Sequence, residues 1–247
     1  MRRLFRRFFP RLKHPLLDAA RPPLGNDVAY AAAYAATIEE SDPFVTERFE
    51  EGRRWRGVLQ HYNPGKRILD LGAGNGAVEL AFATEWSVFS VEVAWNDVVR
   101  RLRDKTGASL RRVIADAGAL PFRDGAFDAV TCLETVEHLR DRRAAAEEIR
   151  RVVAHGGLLL VTTPPRLRYL LRPDPHFGIR GLLLLPPALQ RAIAARRGFD
   201  RPDHYVDRIY TSVGQLRRLF RGFEVLEILS RSRLPRRWFW DAIVFRS

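Results

Sequence analysis

The sequence predicts an α/β fold, a mostly parallel sheet with helices on both faces. Two observations predict it. Short apolar runs alternate with helix-period segments between residues 66 and 163, the signature of strands buried on both faces and joined by helical crossovers. One of those runs, Lys66-Arg67-Ile68-Leu69-Asp70-Leu71, leads straight into Gly72-Ala73-Gly74-Asn75-Gly76-Ala77. Glycine is needed where the backbone takes positive φ or lies bare against a ligand. A helix continuing from Ala77 to Thr84 would aim its unpaired N–H groups back at that loop. A chain of 247 residues is long enough for one large domain with a substantial core.

The elements follow in order. Met1–Lys13 sets Leu4, Phe5, Phe8, Phe9 and Leu12 on one helical face and Arg2, Arg3, Arg6, Arg7 and Arg11 on the other, a basic amphipathic pattern suited to an anionic membrane surface. This segment lacks the long apolar core of a signal peptide, so a cytoplasmic location is expected, with peripheral contact at the inner membrane face through residues 1–13. Prolines 10, 15, 22 and 23 mark a linker, and Asp27–Thr37 reads as a helix. Residues 1–40 thus form an arm and helix, and 41–247 the main domain. Ser41-Asp42-Pro43 starts a helix, with a capping side chain and proline in the first turn, and Asn63-Pro64-Gly65 ends it.

The first strand and glycine loop follow. Ser87–Val93, ending near Glu92, is the second strand and Asn96–Lys105 a helix; Leu110–Ala115, followed by Asp116, is the third strand. Phe127–Leu133 is the fourth. Arg142–Val153 is a helix that His155-Gly156-Gly157 should close before a fifth strand at Leu158–Thr162. Residues 164–210, rich in proline with a helix at Pro187–Arg197, interrupt the alternation as a substrate-side insertion. Ser212-Val213-Gly214-Gln215 is a capping box, and Phe223–Leu229 and Trp238–Phe245 close the sheet as a sixth and a seventh strand.

The formal charge is +13, and lysine occurs only at 13, 66 and 105, so arginine carries nearly all the positive charge. That balance favours anionic partners without choosing among them. The single Cys132 excludes an internal disulfide and reads as a buried, reduced thiol. No apolar run reaches the length of a membrane span.

The loop alone fits two templates. As G-x-G-x-x-A with Glu92 downstream it matches a dinucleotide fingerprint. Against nicotinamide stand Asp70 just before the first glycine, Asp116 at the third strand tip, and a two-strand ending in place of a second mononucleotide half. Taken together, Ile68–Gly76, Glu92, Asp116-Ala117…Leu120-Pro121-Phe122 and Phe127-Asp128-Ala129-Val130 resemble the class I S-adenosylmethionine-dependent methyltransferases, and within them the type 11 branch. The resemblance implies a Rossmann-like, seven-stranded, mostly parallel sheet with an antiparallel last strand and a helical insertion after strand five. It implies S-adenosyl-L-methionine as cofactor, held by Asp70, Gly72, Gly74, Gly76, Glu92, Asp116, Ala117 and Leu133, with Glu92 on the ribose hydroxyls and Asp116 and Ala117 on the adenine.

Glu134-Thr135-Val136-Glu137-His138 would place Glu134, Glu137 and His138 on adjacent faces of one helical turn. The segment is similar to E-x-x-E-H stretches of ubiquinone-pathway O-methyltransferases and small-RNA 2′-O-methyltransferases. That similarity implies a Mg²⁺ or Mn²⁺ site from Glu134, Glu137, His138 and His204. A hydroxyl acceptor needs a base, for which His138, His204 and Glu134 are the catalytic candidates, with His176 behind them. The expected function is O-methylation of a small-molecule acceptor, lipid- or glycan-linked ones included. RNA methylation and a non-catalytic cofactor-binding module are the alternatives.

Overall fold

The computed structural model describes residues 43–93, 111–173, 178–197, 210–231 and 234–247. The arm at 1–13, the 27–37 helix, the 96–105 helix, His176 and Asp203-His204-Tyr205 lie outside the described residues.

In chain order the elements are α1 (Pro43–Tyr62), β1 (Arg67–Leu71), α2 (Ala77–Phe82), β2 (Ser87–Glu92), β3 (Arg111–Ile114), β4 (Phe127–Leu133), α3 (Arg142–Val152), β5 (Val153–Thr162), α4 (Arg168–Leu171), a 3₁₀ turn (Leu182–Leu184), α5 (Pro187–Arg196), α6 (Val213–Leu219), β6 (Glu224–Leu229) and β7 (Ala242–Arg246). The strands form one seven-stranded sheet in the order β3-β2-β1-β4-β5-β7-β6. Pairings from β3 through β5 are parallel, and β7 runs antiparallel to both its neighbours. The chain reverses direction across the sheet between β1 and β4, the kind of switch point where open α/β sheets place their ligands.

Alternation along the strands divides the core into two layers. Leu69, Leu71, Val130, Cys132, Leu159, Val161, Ile243 and Phe245 face α3 and α6, where Ile149, Val152, Val213 and Leu216 meet them. Ile68, Ala129, Leu158, Leu160, Ala242 and Val244 face α1 and α2, against Trp55, Leu59, Val78 and Phe82. Cys132 is free and fully buried, and burial pushes its thiol well above the ordinary range.

Three local expectations are corrected. The His155-Gly156-Gly157 stretch does not close a helix ahead of β5. It lies inside β5, which begins at Val153 and is bulged between its pairings Phe127↔Val153 and Ala129↔Leu158. Gly156 takes φ 73° there, and a Cβ on Gly157 would stand 2.7 Å from the Ala154 carbonyl oxygen. The glycines thus serve a bulge. The last strand begins at Ala242 instead of Trp238, because Trp240 is spent filling the core beneath α6. The E-x-x-E-H segment is not helical, as described below.

The insertion after β5 carries its own small core of Tyr169, Leu182, Leu183 and Ala194. It is tied to the main domain by Arg168, whose guanidinium donates to the Trp240 carbonyl (2.9 Å) and Asp241 (3.0 Å). No helix among the described residues is long and apolar enough to cross a membrane.

Helix α1 lies close on α2 at Gly52, where an added Cβ would meet Ala81 Cβ at 2.8 Å and the Val78 Cα at 3.0 Å. Gly52→Ala gains about 1 kcal/mol of helix propensity but forces the two helices apart. We expect a net loss of about 1–2 kcal/mol, within the range seen for overpacked sites, measured by urea unfolding; equal or greater stability would contradict the tight α1–α2 contact.

Candidate functional site

The glycine loop turns at the carboxyl edge of β1, and all three of its glycines take positive φ: Gly72 71°, Gly74 53° and Gly76 78°. Each is needed for a different reason. At Gly72 a Cβ would strike the Thr135 side chain at 2.3 Å, so this glycine lets the loop pass beneath the segment after β4. At Gly74 a Cβ would meet no heavy atom within 4 Å: the backbone there is bare and faces open space. Gly76 is the residue before α2, and the Asn75 side chain accepts from the Ala77 N–H at 3.1 Å to start that helix.

The loop is clamped from both ends of Gly74. Its N–H donates to Glu92 Oε2 at 2.9 Å, and its carbonyl accepts from Arg112 Nη1 at 2.8 Å. The other oxygen of Glu92 accepts from the Val93 N–H at 2.8 Å. Glu92 is therefore not a bare strand-end carboxylate but a brace for the loop. An ionised carboxylate offers about four lone-pair sites, so two remain for a ligand's hydroxyls. Arg112 also forms a buried ion pair with Glu79 of α2. Neither Arg112 nor Glu79 stood out in the sequence, where one is an arginine among many and the other a carboxylate inside a helix.

Beneath the loop, strand register lines up four polar side chains. Arg112 of β3 pairs with Ser90 of β2, Ser90 with Asp70 of β1, and Asp70 with Thr131 of β4. All four are buried. The Thr131 hydroxyl donates to Asp70 Oδ1 at 2.6 Å. Burial pushes the Asp70 carboxyl up to about 7; the Thr131 hydroxyl pulls it down, and the Glu79 carboxylate raises it further. Asp70, expected among the cofactor-holding residues, is thus buried at the end of β1, beneath the turn of the loop.

Asp116 follows β3 and accepts from the Gly118 N–H at 2.7 Å, an Asx turn that leaves Ala117 buried at its crest. The next stretch is held by α3, where Glu148 accepts from the Leu120 N–H (2.7 Å) and Arg151 donates to the carbonyls of Leu120 (3.0 Å) and Phe122 (2.6 Å). Glu92 and Asp116 sit at the tips of adjacent strands beside the loop, as their positions in the sequence imply.

After β4 the chain kinks at Glu134, whose φ of 53° is one of two positive values among the described non-glycine residues. Its N–H donates to both the carbonyl (3.0 Å) and hydroxyl (2.9 Å) of Thr162. A left-handed non-glycine residue costs about 1 kcal/mol or more and persists where surrounding structure imposes it, often at a site. The kink replaces the expected helical turn with a tight turn closed by His138 N–H to the Thr135 carbonyl (2.9 Å). Glu137 consequently points inward, 2 % exposed, while Glu134 and His138 are exposed. Leu133, at the end of β4, is buried.

Of the expected metal set, Glu134, Glu137 and His138 are described and do not come together as one group of ligands. Among the described residues no group of three His, Cys, Asp or Glu is placed to hold an ion. Burial, then the Glu134 carboxylate nearby, raises the Glu137 carboxyl well above its ordinary range. The fourth expected ligand, His204, lies outside the described residues.

The donor set fits S-adenosylmethionine. Bare backbone at Gly74 offers room for a ligand, and Glu92 keeps acceptor capacity for two hydroxyls. The buried Asn75 amide nitrogen has no acceptor among the described residues.

Two expected outcomes test this arrangement. Arg112→Ala leaves Glu79 buried without its partner and should cost about 3–5 kcal/mol, read by denaturant unfolding; a loss under 1 kcal/mol would deny the clamp its role. Asp70 has a raised pKa in the fold, so between about pH 4 and 7 the folded state keeps a proton that the unfolded chain releases. Its contribution to stability is therefore lost as pH rises through that window, on the order of 4 kcal/mol. Asp70→Asn should flatten this decline and be the more stable form at pH 8; matching pH profiles for the two proteins would contradict the assignment.

Comparison with known proteins agrees with this geometry. Residues 69–161 match the family described as a methyltransferase domain. The chain is 40% identical over 97 residues to malonyl-[acyl-carrier protein] O-methyltransferase of Geobacter sulfurreducens, covering 37% of this chain and 36% of that protein. It is 33% identical over 145 residues to 27-O-demethylrifamycin SV methyltransferase of Amycolatopsis mediterranei, covering 54% and 51%. The chain thus spans about half or less of the length of these curated relatives. Among solved structures, N-methyltransferase NodS of Bradyrhizobium japonicum, in complex with S-adenosyl-l-homocysteine, superposes with a TM-score of 0.58 over 90% of this chain and 98% of that one, at 15% identity, a likeness of fold. Residues 69–161 thus carry the methyltransferase-domain match, and the seven-stranded sheet with its glycine loop at the switch point is the fold the chain shares with that solved N-methyltransferase.

Proposed function

We propose that this protein transfers a methyl group from S-adenosylmethionine to an oxygen of a small-molecule acceptor. The observation that carries the cofactor reading is Gly74: a left-handed, bare stretch of backbone facing open space, held by Glu92 on one side and Arg112 on the other. S-adenosylmethionine, when bound, supplies a methyl group already activated on a positively charged sulfur. The residues of this chain would then bind and orient. The loop backbone from Gly72 to Gly76 would hold the methionine and ribose portions, and the remaining lone pairs of Glu92 the ribose hydroxyls. Asp116 and the Ala117 N–H would take the adenine. Leu133 would wall the pocket beside the acceptor.

A hydroxyl acceptor must lose its proton. Exposed beside the kinked Glu134, His138 is the described residue we assign to that task, with His204 the second candidate. Oxygen as the accepting atom is supported by the names of both curated relatives above. A lipid- or glycan-linked acceptor, and contact of residues 1–13 with an anionic membrane surface, are proposed from the basic amphipathic sequence of that arm.

Calorimetry on the full chain tests the cofactor. Wild type should bind S-adenosylmethionine. Gly74→Asp, which drives a side chain into the open space at a strained φ, should abolish binding. Glu92→Ala, which frees the loop and removes the hydroxyl acceptor, should weaken it at least a hundredfold. Tight NAD binding with none for S-adenosylmethionine would overturn the proposal.

A further inference from the structure

Between α3 and α6 lies an open groove of about 650 Å³. Five arginines line it: Arg142, Arg143 and Arg150 from α3, Arg218 from α6 and Arg221 just beyond, against one carboxylate, Glu147. None of the five guanidiniums forms a hydrogen bond or ion pair among the described residues. Other surface arginines here do find partners, as Arg151 does with Glu148 and Asp124. Arginine keeps its charge at any ordinary pH, so the groove presents a fixed positive lining to an anion. Arg142 adds a second observation: its Nε and Nη2 atoms are buried and lack an acceptor. An adjacent, desolvated pair of guanidinium N–H groups is a fork that matches two oxygens of one phosphate.

We propose that this groove is a phosphate-binding site, taking the phosphoryl or diphosphoryl group of a small molecule or lipid headgroup, with Arg142 as the bidentate contact and Arg218 facing it from α6. The groove's volume is that of a small-ligand pocket, set between two helices. A nucleic-acid track would instead run on as an extended basic stripe with aromatic platforms for bases; the one aromatic in this lining, Tyr210, is itself buried. The proposal does not depend on the methyl-donor site: among the described residues none of these arginine side chains is hydrogen-bonded to the glycine loop or to the Asp116–Gly118 turn.

The test uses the full chain and two probes, inorganic pyrophosphate by calorimetry and phosphatidylglycerol vesicles against phosphatidylcholine vesicles by co-sedimentation. S-adenosylmethionine affinity and a thermal melt are measured on the same preparations. Pyrophosphate should bind with one site per chain, and Arg142→Ala and Arg218→Ala should each weaken it at least tenfold without changing S-adenosylmethionine affinity. Arg142→Lys keeps the charge but not the fork, and should remain weak. Arg218 is exposed, so its variant reports even where Arg142→Ala melts early. Vesicle binding that both variants lose, without pyrophosphate binding, would place the phosphate on a lipid and still support the site. The proposal is overturned where neither probe binds, where binding survives both substitutions, or where only single-stranded RNA binds, with the steep salt dependence of a polyelectrolyte.

Discussion

A guanidinium buried at the third strand holds the ligand loop of this protein to its sheet. Arg112 reaches the Gly74 carbonyl with one nitrogen and Glu79 with another, joining strand, loop and helix in a single contact. A buried ion pair of this kind adds little net stability over a packed apolar pair, yet leaving one partner alone is costly. It therefore acts as a geometric constraint: the loop cannot drift without exposing an unpaired charge inside the protein. Glu92 completes the constraint from the opposite side of the same residue. The bare backbone at Gly74 is then rigid although it carries no side chain of its own.

The row Arg112–Ser90–Asp70–Thr131 extends that constraint under the whole loop. Parallel strands put one residue of each at the same level, so four isolated polar positions become one buried band. Apolar side chains flank the band within the strands, Leu69 and Leu71 around Asp70 and Val130 and Cys132 around Thr131, but these point to the other face. The band thus lies on the α1–α2 side, below Glu79, while the opposite layer stays apolar. Burial there raises the Asp70 carboxyl to about 7, which makes the floor of the site sensitive to pH near neutrality.

Much of this was legible in the chain. The apolar runs at 68–71, 127–133 and 158–162 declared strands, and the glycines after Leu71 declared the loop, because period-two burial and positive φ leave local marks. Glu92 and Asp116 could be placed at strand tips by counting. Bulge and kink were not legible. His155-Gly156-Gly157 has the composition of a helix stop and serves instead inside a strand. Glu134 has no residue-level reason to be left-handed; only its two hydrogen bonds to Thr162, 28 residues away, impose that turn. The E-x-x-E-H spacing presumed a helix, and once the helix is absent the spacing no longer brings its side chains to one face.

By itself, then, the sequence determined the class of fold, the succession of strands along the chain and the loop that carries the cofactor reading, since each depends on neighbours in the chain. The tertiary structure alone decided which polar residues became structural and which stayed exposed. Arg112 meets Glu79 across 33 positions, Glu137 turns inward where His138 does not, and arginines from two helices meet across one groove. Charge counts cannot foresee such meetings, because they depend on the register of strands and the packing of helices that lie far apart in the chain.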